Sequence, residues 1–258
     1  LPAVPNSLLD LIPRVPLGEN SYSYLRQVAR TENVGVVADH GQKPTSEYTF
    51  EEIEDRARVV AHLSEAIPVR YAQDHTSMVE QVDEQMRGGV LRKLEEQAVH
   101  GDGTGENFSG ILATTGVTAV EYAGSDLITI RKARTALEVL GETPTAWVMH
   151  PADVEEIELR RELAGDEGGF LMDSAGADAV FGRNIRRVAS IAVPQGTALL
   201  ADWRTLRLRV REGTHTLAAT QSGELFERNE FKLRAEGRFG IDIRRPQAIA
   251  VVELTAGT

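Results

Sequence analysis

A long amphipathic helix that ends in a glycine-rich turn is the feature that most constrains this fold. One apolar stripe recurs every fourth residue, at Met78, Val82, Met86, Val90, Leu94 and Ala98. That spacing is close to the period of an α-helix. Ser77 and Glu80 form a capping-box pattern at the helix start. A helix of about 25 residues would span roughly 37 Å, which is long for an ordinary domain and natural for an extended strut.

The helix runs directly into Gly101-Asp102-Gly103-Thr104-Gly105. A phosphate-binding loop would follow a strand and end in Gly-Lys-Ser/Thr, and Asp102 and Glu106 would repel phosphate. The acidic spacing of a calcium loop is also missing. We therefore predict a structural turn in which the glycines adopt positive φ. Within the helix, Gly88-Gly89 would allow a bend or the close approach of another backbone.

Composition excludes several classes of function. The sequence has no cysteine, so disulfides, thiolate catalysis and cysteine-ligated zinc are ruled out. The six histidines show no paired metal-ligand spacing, and no serine lies in a Gly-x-Ser-x-Gly elbow. We expect no metal, no cofactor and no enzymatic turnover. A net charge of −11 and a pI near 5.1 argue against sequence-specific nucleic-acid binding.

The sequence carries no apolar run of about 18 residues and no signal-peptide pattern, so we expect no membrane association. It begins at Leu1 rather than Met. That start fits the trimming of a longer precursor, and a chosen boundary explains it equally well.

The order of predicted elements indicates an α+β fold. Residues 1–30 contain four prolines among apolar residues and predict an extended arm that packs on its own body or on a neighbour. Two strand-like runs, 33–40 and 48–67, predict a long β-hairpin around Gly41-Gln42-Lys43-Pro44. The remaining elements are helices from Ser125 or Asp126 to Gly141 and from Pro151 through Leu163, a glycine-rich loop over 166–179, and strands over 146–149, 187–193, 198–203, 206–210 and 231–244.

Four motifs in this order resemble the tailed-phage major capsid proteins of the Hong Kong 97 type. They are Gly41-Gln42-Lys43-Pro44 with Phe50, Gly101–Gly105 with Asn107, Phe226-Glu227-Arg228-Asn229 continuing to Arg238, and Arg245-Pro246-Gln247-Ala248. The resemblance covers nearly the whole chain. It implies the capsid fold: an N-terminal arm (1–30), an extended hairpin loop (31–70), a peripheral domain with a spine helix and a long strand (71–112 and 207–245), and an axial domain (113–206 and 246–258).

The resemblance also implies a function and partners. Hexamers and pentamers of the chain would assemble into the icosahedral head shell of a tailed double-stranded DNA phage, and would enclose DNA without reading its sequence. A portal, a scaffold or maturation protease and a decoration protein would be partners. The protein would be made in the bacterial host cytoplasm and reside in the virion.

Two alternatives stay open. An encapsulin-like nanocompartment would share the fold, although such shells usually begin with a cargo-docking helix rather than a proline-rich arm. A soluble α/β enzyme using the loop at 101–110 would be a monomer or small oligomer.

The family's founding member joins subunits by isopeptide bonds, and the resemblance carries that chemistry onto three residues. The hairpin lysine falls on Lys43, the asparagine of the Phe-x-x-Asn run on Asn229, and the glutamate that acts as base on Glu236. The alternative is that Lys43 is a solvated hairpin tip and that the other two pair with arginines at a subunit contact. Asn229 and Glu236 lie seven positions apart, so on one strand they would face opposite ways.

Overall fold

Helices and strands are mixed along the chain, which confirms the predicted α+β class. The computed structural model describes residues 7–160, 180–221 and 223–256, apart from the side chain of Thr76. The loop predicted over 166–179 and Leu163 of the third predicted helix lie outside these residues. The helices are α1 (Val69–Asp74), α2 (Thr76–His100), α3 (Asp126–Val139) and α4 (Pro151–Glu158). The strands are β1 (Arg14–Pro16), β2 (Ser21–Thr31), β3 (Glu47–Arg56), β4 (Arg58–Leu63), β5 (Ile67–Pro68), β6 (Thr118–Val120), β7 (Ala146–Met149), β8 (Arg186–Ala189), β9 (Thr197–Ala201), β10 (Leu206–Ala219), β11 (Glu230–Ile243) and β12 (Ile249–Glu253).

The predicted long helix is α2, which is 25 residues long and packs on a sheet of order β1-β10-β11-β4, with β5 also paired to β11. The apolar stripe faces that sheet, and its C-terminal half from Met86 to Ala98 is buried. The predicted capping box is wrong: the N-cap residue is His75, and its side chain caps nothing. Helix α1 ends immediately before His75, and the His75 N–H bonds to the Tyr71 carbonyl. The N-cap therefore lies two residues earlier than the predicted Ser77.

The glycine pair in α2 admits a side chain from the sheet. The His62 Nε2 atom lies 2.8 Å from the Met86 carbonyl oxygen. A Cβ added at Gly89 would lie 3.0 Å from the His62 ring. The group that approaches this glycine pair is therefore an imidazole side chain rather than the predicted backbone.

The second sheet has the order β6-β12-β9-β7-β8 and packs against α3. All four residues of β7 are buried, as predicted for 146–149. Pro151 is the first residue of α4, and His150 Nδ1 accepts a hydrogen bond from the Ala152 N–H at 3.2 Å. Gly141 adopts a φ of 73° just beyond α3, which agrees with its prediction as a helix terminator.

The N-terminal segment from Ser7 packs on its own chain. Leu8, Leu9 and Ile12 are buried in the main core. The buried Glu95 carboxylate accepts hydrogen bonds from the Leu8 N–H at 3.0 Å, from Ser7 Oγ at 3.2 Å and from Ser190 Oγ at 2.8 Å. This carboxylate therefore ties the segment to α2 and to the turn after β8.

The predicted hairpin exists, but its strands were placed wrongly. β2 and β3 pair antiparallel, from Ser21 opposite Arg56 to Thr31 opposite Glu47. Residues 21–30, which were predicted to belong to the extended arm, are instead part of a hairpin strand. Residues 33–40 form no strand, because Val34 and Val36 are exposed and lack a partner strand. The run 48–67 is divided among β3, β4 and β5, and the last two join the main sheet.

Candidate assembly site

Lys43 lies at the tip of the hairpin, in the segment that joins β2 to β3. His40 has a φ of 62°, and the Gly41 N–H bonds to the Ala38 carbonyl at 2.9 Å. Asn33 closes the segment by donating from Nδ2 to the Thr45 carbonyl at 2.9 Å. Lys43 is exposed, and nothing in the described part of the chain forms an ion pair with it. Its ammonium group is therefore open to a neighbouring molecule.

Asn229 occupies the turn that leads into β11. Its φ of 54° is in the left-handed region, where asparagine is one of the few tolerated side chains. Its carbonyl accepts a hydrogen bond from the Val69 N–H at 2.9 Å, and its side chain is exposed. Phe226 just before it is 76% exposed. The Phe-x-x-Asn motif thus presents an aromatic ring and a carboxamide at one end of the long strand.

Glu236 lies within β11, and its Oε1 atom is 3.0 Å from Arg234 and 3.5 Å from His215 Nε2. Its side chain is 23% exposed. Seven residues of extended strand separate it from Asn229 by roughly 23 Å. One subunit therefore cannot bring Asn229 and Glu236 to the same bond, and Lys43 belongs to a different segment again.

Glu236 lies on the face of the main sheet that points away from α2. Arg234, Glu236 and Arg238 of β11 lie directly opposite residues on both neighbouring strands. The partners on β4 are Leu63, Ala61 and Val59, and those on β10 include Leu217 and His215. Cross-strand neighbours share a face, so these residues and Arg234, Glu236 and Arg238 form one surface, which we call the outer face. Val59 is 59% exposed, Leu63 is 65% exposed and Leu217 is 48% exposed. Such a concentration of exposed apolar side chains is typical of an interaction surface.

A buried polar cluster joins the base of the hairpin to the main sheet. The Tyr22 hydroxyl donates to Asp55 Oδ2 at 3.3 Å, and Arg209 Nε donates to Asp242 Oδ2 at 2.7 Å. Burial raises the pKa of Tyr22, and the Asp55 charge adds to that effect. Burial also raises the pKa of the Asp242 carboxyl, although Arg209 opposes the change. The cluster fixes how the hairpin leaves the body.

The first strand of the hairpin also leans on its own chain beyond this cluster. The Gln27 N–H donates to the Arg244 carbonyl at 2.8 Å, and Arg26 Nε donates to the Ile243 carbonyl at 3.1 Å. Gln247 Nε2 donates to the Val28 carbonyl at 2.9 Å. The middle of β2 therefore rests on the connection between β11 and β12.

The glycine-rich loop after α2 is a structural turn, as predicted. Asp102 accepts hydrogen bonds from the Thr104 N–H at 2.9 Å, from Thr104 Oγ1 at 2.8 Å and from Asn107 Nδ2 at 2.8 Å. These bonds lower the pKa of Asp102, the backbone bond from Thr104 most of all. Gly103 and Gly105 adopt φ values of 73° and 57°. The carboxylate is thus occupied by the loop itself.

Within the described ranges, no group of three or more His, Asp or Glu side chains is arranged to hold a metal ion. The described helices also include none with the length and apolar character needed to cross a bilayer.

The sequence profile of the phage capsid family matches residues 2–254. The chain belongs to the phage capsid family. It is 25% identical over 265 aligned positions to the major capsid protein of Enterobacteria phage HK97, covering 98% of this chain and 66% of that relative. The chain therefore spans slightly less than two thirds of the length of this curated relative. The family is one of phage capsid proteins.

Solved structures establish the fold independently. A chain from Mycobacterium phage Adephagia superimposes with a TM-score of 0.75 at 18% identity, covering 100% of this chain and 93% of the other. A chain from the capsid of an empty GTA particle, computed with C5 symmetry, gives a TM-score of 0.71 at 14% identity, covering 97% and 90%. The Hong Kong 97-type fold that the resemblance implied is confirmed. The division into peripheral and axial domains, at the boundaries given above, stays a prediction.

Sequence reasoning missed the polar cluster under the hairpin. Two signals point to it in retrospect. Gly240 interrupts a strand of large residues, and a Cβ there would lie 2.2 Å from the Tyr22 hydroxyl. Asp242 is fully buried, although alternation alone would place it on a charged, solvated face.

Proposed function

We propose that this chain is the subunit of an icosahedral phage head and assembles through its hairpin. The observation that carries the proposal is that one chain has two separate surfaces with exposed apolar side chains. The hairpin exposes Val34, Val36 and Phe50, and the outer face exposes Val59 and Leu63. No part of the chain within the described residues covers either surface. A second copy that laid its hairpin on the outer face would bury both sets of apolar side chains.

We further propose that Lys43, Asn229 and Glu236 form an isopeptide bond at this contact. The unprotonated Lys43 amine attacks the carboxamide carbon of Asn229, a C–N bond forms, and the bond to the amide nitrogen breaks. Glu236 accepts the proton that the amine loses and returns it to the departing nitrogen, which leaves as ammonia. The roughly 23 Å between Asn229 and Glu236 means that different copies contribute the three groups, so that the bond forms only after assembly.

The crosslink is tested by denaturing gel electrophoresis of boiled, assembled particles, with mass analysis of the bands. We expect a ladder of multimers and a Lys43–Asn229 peptide that is lighter by one ammonia. Lys43→Arg and Asn229→Asp should each reduce the ladder to one band near 28.2 kDa, and Glu236→Gln should slow its appearance. Lys132→Arg, a change on α3, serves as the matched control and should keep the ladder. A ladder that survives Lys43→Arg would refute this assignment.

The contents and partners of the particle follow the same proposal. Hexamers and pentamers would form a virion shell, made in the bacterial host cytoplasm, around double-stranded DNA. The net charge of −11 favours a lining that does not grip phosphate. A portal, a scaffold or maturation protease and a decoration protein would complete the assembly. Nuclease-protected DNA in purified particles supports a phage head, whereas protein cargo in its place would support the nanocompartment alternative.

A further inference from the structure

The end of β2 contacts the turn between α3 and β7, beside the second sheet. Arg30 donates from Nη2 to the Leu140 carbonyl, just beyond the C-terminal end of α3. The carbonyls of a helix's final turn lack intrahelical partners, and this end carries partial negative charge. An arginine supplied by the hairpin therefore binds a group that the helix leaves unsatisfied.

The same guanidinium also meets a buried carboxylate. Arg30 Nη1 lies 3.6 Å from Glu142 Oε1, and Arg245 donates to the same oxygen. The Glu142 side chain is 6% exposed and that of Arg30 is 24% exposed. Pairs shielded to this degree are screened by salt much less than exposed pairs. Glu142 thus joins the hairpin, through Arg30, to the end of the main sheet, through Arg245.

The turn that carries these acceptors is shaped around the arginine. Gly141 lies between Leu140 and Glu142 with a φ of 73°. A Cβ at this position would lie 3.3 Å from Arg30 Nη2. The glycine therefore permits the left-handed turn and also leaves room for the Arg30 guanidinium.

We propose that Arg30 is a latch that holds the hairpin at a fixed angle to the second sheet. The contacts of Arg26, Gln27 and Val28 hold the middle of β2, and Arg30 holds the tip end of that strand, about 30 Å of strand from Ser21. This inference rests on the proposed assembly through the hairpin and adds how the hairpin is oriented beforehand. A hairpin already held at its docking angle loses less conformational freedom on binding a second copy.

The latch is tested first in unassembled full-length subunits, where the result does not depend on assembly. The chain has no native cysteine, so spin labels can be placed at Glu51→Cys on β3 and Ile128→Cys on α3, both of which are exposed. We expect one narrow distance distribution in the otherwise wild-type chain. Arg30→Ala should broaden it, and Arg30→Lys, which keeps the charge but loses the planar fork, should broaden it less. Arg131→Ala, on α3, should leave it narrow. Equal distributions in the wild type and Arg30→Ala would overturn the latch.

Assembly is then measured by light scattering against subunit concentration. The latch predicts that Arg30→Ala raises the concentration needed for half-assembly by roughly 5- to 50-fold, the equivalent of about 1–2 kcal/mol for a lost buried contact. Arg131→Ala should change it less than twofold. Assembly of Arg30→Ala at a lower concentration than wild type would show the contact to be inhibitory and overturn the proposal. If neither the wild type nor any variant assembles, while Arg30→Ala still broadens the distance distribution, the proposed function fails and the latch stands.

Discussion

The second sheet buries its apolar side chains, whereas the hairpin exposes many of its own. Every residue of β7 is buried, and most of β9 and β12 is buried with it. In β3, by contrast, eight of the ten positions are exposed, with Phe50 and Tyr48 among them. The difference teaches that the sheet is completed within one chain, whereas the hairpin leaves its apolar side chains exposed, and we propose that other copies cover them.

The sharpest test of this comparison removes one large aromatic side chain from each region. Trp147 is fully buried and donates from Nε1 to the Phe181 carbonyl at 3.1 Å. Trp147→Ala should lower the free energy of unfolding by ~3–5 kcal/mol. Phe50→Ala, at a side chain 54% exposed, should change it by less than ~0.5 kcal/mol. Urea denaturation of unassembled subunits measures both.

The ranking should reverse when assembly is measured instead. Phe50→Ala would raise the subunit concentration required for assembly, because the ring lies on the hairpin that we propose a second copy covers. A Phe50→Ala chain that unfolds as easily as Trp147→Ala would break the comparison, since it would mean that the hairpin supports its own subunit.

The junction between the hairpin and the body gives a second test. Gly240→Ala would place a Cβ 2.2 Å from the Tyr22 hydroxyl, and overpacking of this kind costs ~1–3 kcal/mol. The loss should be smaller in the double variant Tyr22→Ala, Gly240→Ala than the two single losses added together, because the clash disappears with the ring. Chemical denaturation of the four chains measures this coupling. Strict additivity would show that Tyr22 does not rest on Gly240.

Local periodicity predicted the parts of the fold that are completed within the chain. The stripe from Met86 to Ala98 and the alternation of Phe231, Leu233 and Ala235 each report burial against a neighbour in the same subunit. The buried strand β7 was predicted on the same basis. In these elements the apolar pattern and the intrachain core coincide.

The hairpin is where the same signal misled. Val34 and Val36 were predicted as strand residues of the hairpin, but they form no strand and are exposed. Glu95 and Asp242 have the opposite character, since the sequence places charges at positions that the fold buries. Their environment comes from Leu8, Ser190 and Arg209, which are distant in sequence. Contacts between residues so far apart in sequence produce no local sequence pattern from which they could be predicted. The roles of Lys43, Asn229 and Glu236 stay predictions, because they need groups from other copies.

The smallest expected effect is the pH dependence of the buried cluster under the hairpin. Burial raises the pKa of Asp242, so the folded chain holds its proton more tightly than the unfolded chain does. The stability that this group contributes is then greatest below its unfolded pKa of ~3.9 and declines as pH rises through the folded value. The free energy of unfolding of wild type minus that of Asp242→Asn should therefore fall as pH rises above ~3.9.

Asp102 supplies the control of opposite sign. Its hydrogen bonds lower its pKa, so its contribution is present above the unfolded pKa and is lost as pH falls through the folded value. The difference between wild type and Asp102→Asn should rise with pH below ~3.9 and stay flat above it. Denaturant unfolding at a series of pH values measures both differences. A flat or rising difference for Asp242→Asn would contradict the raised pKa. It would mean that the ion pair with Arg209 offsets the full cost of burying the Asp242 carboxylate.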